Sequence, residues 1–234
     1  MSYPNIKGIF FDVGWTMMRP VCEHWFTNIK LNEYADADIL ESISTERFHS
    51  AFFGEAYKYL DDNHLIGTEE EEYQQFCIYY RMVAEQLPEL CFTQNKIDEI
   101  AYSKVYDMNN YSFFEDIIPT LEALRPKYKL GVISDTWPSI TRMLKHGGIY
   151  DYFDCFTFSC SLGIFKPDRR MYDDALGKLG LPANETIFID DVEANLDGAV
   201  KCGINPVLIT VRPDAVNSGK YPSIEKISDI LKLV

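Results

Sequence analysis

The chain has 234 residues, which is enough for one large domain or for a domain that carries a substantial insertion. Its 47% hydrophobic and 25% charged residues are ordinary for a globular protein. The 36 acidic against 22 basic side chains give a net charge of −14, which disfavours nucleic acid and anionic membrane surfaces as partners.

No apolar stretch approaches the length that a bilayer crossing needs, and the first five residues lack signal-peptide character. We therefore expect a cytoplasmic protein without membrane partners. The six cysteines are scattered and form no CxxC pair, which argues against a disulfide framework or a zinc site. They are Cys22, Cys77, Cys91, Cys155, Cys160 and Cys202.

The first predicted element is the apolar run at residues 6–11, which stops at Asp12 and is followed by Gly14. Such a run indicates a buried parallel strand that delivers Asp12 to an exposed strand end, where open α/β sheets keep their chemistry. The stretch alone also fits a strand that ends in a turn, with Asp12 as a helix N-cap. The later segments must decide between the two.

A helical pattern covers residues 17–112, with no strand predicted between Thr16 and Phe113. One helix is predicted over residues 45–60 and another over 96–106. Between them, Thr68 opens a helix that Pro88 ends.

The start of that middle helix is acidic. Thr68 and Glu71 have the spacing of a capping box, so we interpret the glutamates at 69–72 as a solvated helix start rather than a metal site. The aromatic residues of this region fall at helical spacing and are predicted to be mostly core. Those considered are Trp25, Phe26, Phe52, Phe53, Tyr57, Tyr79 and Tyr80.

From residue 113 onward strands and helices alternate with short connections, which predicts a parallel sheet with right-handed crossovers. The predicted strands are 130–133, 155–158, 186–189 and 205–211. The predicted helices are 116–127, 140–146, 170–179, one that ends at Cys202, and 224–233. Residues 212–221 are predicted to be a polar surface loop.

Three predicted strand ends carry polar groups: Asp12, Ser134 with Asp135, and Asp190 with Asp191. In a parallel sheet they share one edge, and Lys166 of the GIFKPD segment could reach the same cleft. Clustered carboxylates repel unless a cation lies among them, and a hard cation with oxygen ligands fits magnesium. Carboxylate, hydroxyl, lysine and magnesium together are suited to phosphoryl transfer.

The segments FFDVGWT, VISD, FKPD and FIDDVEANLDGA, in this order, resemble the four motifs of the haloacid dehalogenase (HAD) superfamily. The resemblance covers the whole chain, since one large branch inserts a helical cap just after the first motif. It implies a Rossmann-like α/β core of residues 1–16 plus 113–234 and a cap of residues 17–112.

The same resemblance implies that Asp12 attacks phosphorus and becomes an aspartyl-phosphate. Thr16 and Ser134 would bind the phosphoryl oxygens, and Lys166 would stabilise both nucleophile and phosphate.

The resemblance also implies a Mg²⁺ site formed by Asp12, the main-chain carbonyl of Gly14 and Asp191. Asp190 would be either a further ligand or a partner acting through water, and Asn195 would orient the loop. Asp135 has no secure role in the family, so a helix N-cap ahead of Pro138 and a substrate contact both stay open.

The departure from the family pattern is Gly14, because phosphatases of the family usually carry a second aspartate two residues after the nucleophile. Glycine keeps the carbonyl but removes the general acid/base, which is worth roughly 10²- to 10⁴-fold in rate.

The resulting prediction is a magnesium-dependent phosphatase, a monomer or homodimer, that acts on a small phosphorylated metabolite and is slow because of Gly14. A closing cap would exclude macromolecules. Arg19, His24 and Trp25 are candidate substrate contacts, although each type is more typical of surface or core.

Two alternatives stay open. A catalytically weak phosphate- or metabolite-binding protein would also lack the acid, and so would a 2-haloacid dehalogenase. The Asp190-Asp191 pair disfavours the dehalogenase, because its charge would repel an anionic haloacid. Phosphonate hydrolysis is disfavoured because the insert has no evident Schiff-base lysine.

Overall fold

The computed structural model describes Tyr3, residues 5–22 and residues 24–234. The chain divides into two compact units: the first comprises residues 1–19, 113–136 and 140–234, and the second comprises residues 20–112 and 137–139. The expectation that the chain lacks a signal peptide falls partly on Met1, Ser2 and Pro4, which lie outside the described residues.

A six-stranded sheet forms the centre of the first unit. Its strand order is β5-β4-β1-β6-β7-β8, and every paired neighbour is parallel. Its strands are β1 (Gly8–Phe11), β4 (Lys129–Ser134), β5 (Cys155–Phe158), β6 (Thr186–Asp190), β7 (Asn205–Ile209) and β8 (Ser223–Ile224). All four residues of β1 are buried, as expected for a central strand covered on both faces. The predicted parallel, Rossmann-like α/β core is confirmed.

Helices follow the strands of this sheet. They are α7 (Ile117–Leu124), α8 (Ile140–His146), α9 (Ser159–Leu162), α10 (Arg169–Leu179) and α11 (Glu193–Lys201). The helix predicted over residues 116–127 is shorter than expected, because Pro126 has no backbone N–H with which to continue it.

The helix predicted for residues 224–233 is wrong. Ser223–Ile224 form β8 at the sheet edge, where Leu208 N donates to Pro222 O and Thr210 N donates to Ile224 O, both at 2.9 Å. A 3-10 helix follows at Ile227–Lys232. The buried Ile224, Ile227 and Ile230 recur every three residues, a spacing that suits a 3-10 turn better than an α-helix.

The second unit is helical. It contains α1 (Ile29–Tyr34), α2 (Ala37–Ser42), α3 (Thr45–Phe53), α4 (Glu55–Asp62), α5 (Glu69–Gln86) and α6 (Gln94–Tyr106). Aromatic rings fill much of its core, among them the fully buried Phe52, Phe76, Tyr79 and Tyr80. The prediction that the aromatic residues of this region are mostly core is confirmed.

The single helix predicted over residues 45–60 is wrong, because Gly54 divides it into α3 and α4. Gly54 N donates to Ser50 O, and an added Cβ at Gly54 would lie 2.4 Å from that carbonyl oxygen. The bend therefore requires a residue without a side chain.

Two short strands, β2 (Met18–Pro20) and β3 (Tyr111–Phe113), pair where the chain leaves and re-enters the first unit. The sequence pattern predicted no strand there. Three residues are too few to display an alternating pattern, which explains the error.

The start of α5 is only partly solvated. The capping box of Thr68 and Glu71 is confirmed. Glu72 is instead buried, and its carboxylate accepts hydrogen bonds from Ser139 N and Ser139 Oγ, both at 2.7 Å. In the described part of the chain, no helix combines the length and apolar character that a bilayer crossing demands.

Candidate active site

Strand register brings the predicted strand-end residues to one edge of the sheet. Phe11 pairs with Val132 of β4 on one side and with Ile189 of β6 on the other. Asp12 therefore emerges between Ser134, which ends β4, and Asp190, which ends β6. The backbone continues the pairing by one step, since Asp12 N donates to Ile189 O at 2.9 Å.

Three carboxylates converge at this edge. One oxygen each of Asp12, Asp190 and Asp191 lies within 4.8 Å of the others. Asp12 and Asp190 are buried, and the Asp191 side chain is only 7% exposed. Buried like charges at this separation require a compensating cation.

Lys166 is one such cation. Its Nζ lies 2.8 Å from Asp12 Oδ1 and 2.7 Å from Asp190 Oδ2, and its side chain is 2% exposed. The sequence prediction that Lys166 reaches the cleft agrees with this geometry.

Asp135 fixes the backbone that carries Lys166. Its Oδ1 accepts a hydrogen bond from Lys166 N at 3.0 Å, which ties the loop before α10 to the end of β4. Neither of the two alternatives considered for Asp135, an N-cap or a substrate contact, includes this hydrogen bond.

Asp190 is surrounded by donors. Its Oδ1 accepts from Val192 N at 2.8 Å and from Asn195 Nδ2 at 3.1 Å. Its Oδ2 accepts from Lys166 Nζ and from the same Asn195 amide. Asn195, in the first turn of α11, therefore orients Asp190 and the loop that contains Asp191.

A tight turn follows Asp12 and presents Gly14, Trp15 and Thr16. Val13 O accepts hydrogen bonds from the amides of residues 16, 17 and 18. Trp15 has a φ of 52°, a left-handed conformation that costs a non-glycine residue roughly 1–2 kcal/mol. Such conformations concentrate at functional sites.

Thr16 is fully buried, and within the described residues its Oγ1 has no hydrogen-bond partner. A buried hydroxyl without a partner is unfavourable in the protein alone by about 1–3 kcal/mol. The side chain is therefore poised to bind a polar atom of a ligand.

The electrostatics of the site are dominated by burial. Burial raises the pKa of Asp12 to about 8; Lys166 opposes this rise, and Asp190 and Asp191 add to it. Burial also raises the pKa of Asp191 to about 6, with Asp190 contributing.

Burial disfavours the charged form of Lys166, but the neighbouring carboxylates outweigh it. Asp12, Asp190 and Asp135 hold the pKa of Lys166 well above its ordinary value. The lysine is therefore a permanent cation of the site.

The residues present fit a hard divalent cation. Three carboxylates and one lysine leave an excess of negative charge, and all the candidate protein ligands are oxygens, as magnesium prefers. Asp191 fits the role of metal ligand better than Asp190, whose two oxygens already accept four hydrogen bonds.

The sequence offered three candidate substrate contacts outside the motifs: Arg19, His24 and Trp25. Arg19 lies in β2 and is exposed. In the second unit, the His24 ring packs on Phe48 with centroids 5.6 Å apart, and Trp25 stacks on Tyr111 at 6.0 Å.

One charged residue beside the carboxylates was not predicted from the sequence. Arg212 Nη1 lies 3.4 Å from Asp191 Oδ2. Arg212 follows β7, so its position just after a strand of the same sheet was the available signal. The prediction of a polar surface loop over residues 212–221 obscured it.

Comparison with known families identifies the chain. The family described as "Haloacid dehalogenase-like hydrolase" matches residues 23–209, well over half of the chain. The chain belongs to this haloacid dehalogenase-like hydrolase family. The match begins after the first motif, so the assignment of Asp12 depends on the motif pattern and the geometry above.

Several curated relatives of the chain are named for phosphate-ester substrates. The chain is 32% identical over 123 residues to "GMP/IMP nucleotidase YrfG" of Escherichia coli (strain K12), covering 51% of this chain and 55% of that protein. It is 28% identical over 123 residues to "Glyceraldehyde 3-phosphate phosphatase" of Methanopyrus kandleri, covering 50% and 48%. The hydrolase thus spans about half the length of the curated relatives it matches.

Solved structures show the fold alone. A HAD phosphatase from Thermococcus onnurineus superposes with a TM-score of 0.65 at 21% identity, covering 97% of both chains. A 2-haloacid dehalogenase from Pseudomonas syringae pv. Tomato DC3000 superposes with a TM-score of 0.64 at 19% identity, also covering 97% of both. Since this one fold is shared by two different reactions, the site residues must discriminate between them.

Proposed function

We propose that this hydrolase is a magnesium-dependent phosphatase that cleaves small phosphomonoesters through an aspartyl-phosphate on Asp12. The observation that carries the proposal is the convergence of Asp12, Asp190 and Asp191 around the buried Lys166. The hydroxyl of Thr16, four residues after Asp12, supports it, because it has no hydrogen-bond partner in the part of the chain that the structure describes.

The magnesium ion would be held by Asp12, Asp191 and the main-chain carbonyl of Gly14. Asp190 would contact the ion only indirectly. Bound Mg²⁺ would neutralise charge on the transferring phosphoryl group and favour the ionised form of Asp12.

The protein groups have separate tasks in the proposed reaction. A carboxylate oxygen of Asp12 forms a bond to phosphorus while the bond from phosphorus to the ester oxygen breaks, and that oxygen takes a proton from solvent water and leaves as the alcohol. Water then cleaves the aspartyl-phosphate, which releases inorganic phosphate and regenerates Asp12. Thr16, Ser134 and Lys166 bind the phosphoryl oxygens and stabilise their charge.

Gly14 leaves the departing alcohol without a carboxylic acid at the usual position of the family. We therefore propose slow turnover, most of all for alkyl phosphates, whose leaving groups need the proton. Aryl phosphates are less affected because a phenolate leaves without prior protonation.

The names of the relatives guide the substrate class. Three of the relatives are nucleotidases and three are glyceraldehyde 3-phosphate phosphatases. A small phosphorylated metabolite, either a nucleoside monophosphate or a phosphorylated sugar-like compound, is the proposed substrate. We further propose that the protein acts in the cytoplasm as a monomer or homodimer.

The decisive experiment is hydrolysis of 4-nitrophenyl phosphate by purified protein with Mg²⁺ and with excess chelator. We expect release of nitrophenol that requires Mg²⁺ and is abolished by Asp12→Asn, which keeps the size of the side chain but removes the nucleophile. Activity that survives Asp12→Asn would refute the assignment of the nucleophile.

A second candidate function is a phosphate-binding protein with negligible turnover, which the absence of an acid at Gly14 favours. It predicts that inorganic phosphate protects the protein against thermal unfolding although no ester is hydrolysed. Measuring both quantities on the same preparation separates the two functions. The clustered carboxylates of Asp190 and Asp191 continue to disfavour a haloacid substrate.

A further inference from the structure

Arg212 lies between two carboxylates at the rim of the candidate metal site. Its Nη1 is 3.4 Å from Asp191 Oδ2, and its Nε is 2.7 Å from Asp214 Oδ1 without a hydrogen-bond alignment. The Arg212 side chain is 32% exposed, the Asp191 side chain 7% and the Asp214 side chain 78%. The guanidinium therefore has one sheltered partner inside the site and one solvated partner outside it.

The loop that carries Arg212 is attached to α11, the helix that follows Asp191. Glu193 accepts hydrogen bonds from Ser218 N at 2.9 Å and from Ser218 Oγ at 2.7 Å. Asp197, one turn later, binds both Lys220 and Tyr221. These contacts hold residues 218–221 on the helix.

A divalent cation bound to Asp191 would be repelled by the positive charge of Arg212. A guanidinium 3.4 Å from Asp191 Oδ2 neutralises part of the charge that attracts the metal, and two cations on one carboxylate repel each other. Asp214 offers Arg212 a partner to which it can turn when Asp191 is occupied.

We propose that Arg212 is an internal competitor of the divalent cation: it lies beside both Asp191 and Asp214, and it gives up Asp191 and keeps Asp214 when the cation binds. This inference depends on the proposed metal site. Arg212 thereby lowers the affinity for magnesium and keeps the carboxylate cluster compensated when magnesium is absent.

The test is calorimetric titration of MgCl₂ into wild-type, Arg212→Gln and Lys220→Gln proteins. We expect Arg212→Gln to bind Mg²⁺ about 3- to 5-fold more tightly, the range expected for removal of a partly exposed ion pair. Lys220→Gln removes the same charge from the same loop, but Lys220 pairs with Asp197 and not with Asp191. The contacts of Ser218 with Glu193 and of Tyr221 with Asp197 still hold the loop in this variant, so its dissociation constant should stay within about twofold of wild type.

The variant Asp214→Asn should change the affinity for magnesium in the opposite direction. Without its second partner Arg212 stays on Asp191, so magnesium binding should weaken by about 2- to 5-fold. In the double variant Arg212→Gln/Asp214→Asn, removal of Asp214 should have no further effect, because the competitor is gone.

The outcomes separate the competition from the metal site itself. Unchanged or weaker binding by Arg212→Gln, or an equal gain in Lys220→Gln, would overturn the role of Arg212 while leaving the site intact. No magnesium binding by the wild-type protein would refute the metal site and the competition together.

Discussion

Gly14, two residues after the proposed nucleophile Asp12, determines whether an acid is available to the leaving group. The two residues share one tight turn, whose hydrogen bonds converge on Val13 O. Lys166 lies between Asp12 and Asp190, which fits the proposed phosphoryl-transfer site. The missing side chain at Gly14 therefore affects protonation of the leaving group rather than binding of the phosphate.

Replacing Gly14 by aspartate should restore the acid. We expect Gly14→Asp to raise kcat for alkyl phosphates about 10- to 100-fold and to change that for 4-nitrophenyl phosphate much less. Gly14→Asn is the matched control, because it adds nearly the same volume without an acidic proton. Equal rates in wild type and Gly14→Asp would mean that the proton already comes from another group.

Thr16 presents a different residue-scale case, a buried hydroxyl without a partner within the described residues. Thr16→Val should leave the free energy of unfolding unchanged or raise it by about 1 kcal/mol, since no hydrogen bond is lost. The affinity for inorganic phosphate should fall about 10-fold, because its contact is removed. Thermal unfolding and phosphate titration measure the two effects.

Thr120→Val is the matched control for Thr16. Thr120 is equally buried, but its Oγ1 donates to Asp116 O at 2.6 Å. Its loss should destabilise the protein by about 1 kcal/mol and leave phosphate binding unchanged. If both variants destabilise alike, the hydroxyl of Thr16 is structural.

At the scale of elements, the break between α3 and α4 depends on Gly54. We expect Gly54→Ala to lower the free energy of unfolding by roughly 1–3 kcal/mol, because its Cβ would meet Ser50 O at 2.4 Å. Gly67→Ala is the control, since a Cβ there meets nothing within 4 Å. Urea unfolding of the two variants measures the difference, and equal stabilities would show that the helices can shift to accept the methyl group.

The elements of the second unit also bury charge. Lys104 of α6 donates to Trp25 O at 2.9 Å and to Tyr111 Oη at 2.6 Å, and lies over the Phe76 ring at 5.4 Å. Burial lowers the pKa of Lys104 to about 8 and raises that of Glu72 to about 7. The helical periodicity of the sequence places Lys104 and Glu72 on helices but does not indicate that either side chain is buried.

At the scale of the whole molecule, the dependence of stability on pH is a sum over all titrating groups, and His64 contributes a separable part. The ring is 2% exposed and packs edge-on against Trp137 at 5.1 Å. Burial lowers its pKa from 6.5 to about 4. Between these two pKa values His64 is protonated in the unfolded chain but not in the folded protein. The free energy of unfolding is therefore highest above pH 6.5 and decreases as the pH falls towards 4.

We expect this loss to reach about 3 kcal/mol at most, and His64→Phe to remove it while keeping a ring against Trp137. The measurement is urea unfolding of wild type and variant at pH 7 and pH 4.5. His49→Phe replaces an exposed histidine of the same unit and should retain the wild-type pH dependence. A similar loss in all three proteins would contradict the role of His64.

Much of the fold could be predicted from the sequence because local patterns carry it. The apolar runs at β1, β4 and β6 and the cap at Thr68 are short-range signals, and each appears in the structure. Patterns failed where a tertiary contact outweighed them. Residues 223–224 pair with β7 and form the edge strand instead of joining a helix, and Gly54 bends a run whose periodicity continues through it.

The candidate site divides in the same way. The residue types and their order along the chain determined that Asp12, Ser134, Asp190 and Asp191 belong to one edge of a parallel sheet, because the ends of parallel strands coincide, and that Lys166 could reach that edge. Only the tertiary structure decided that Asp135 holds the Lys166 backbone, that Thr16 has no hydrogen-bond partner among the described residues, and that Arg212 lies beside Asp191. These contacts join segments far apart in sequence or depend on burial, and no periodic pattern encodes them.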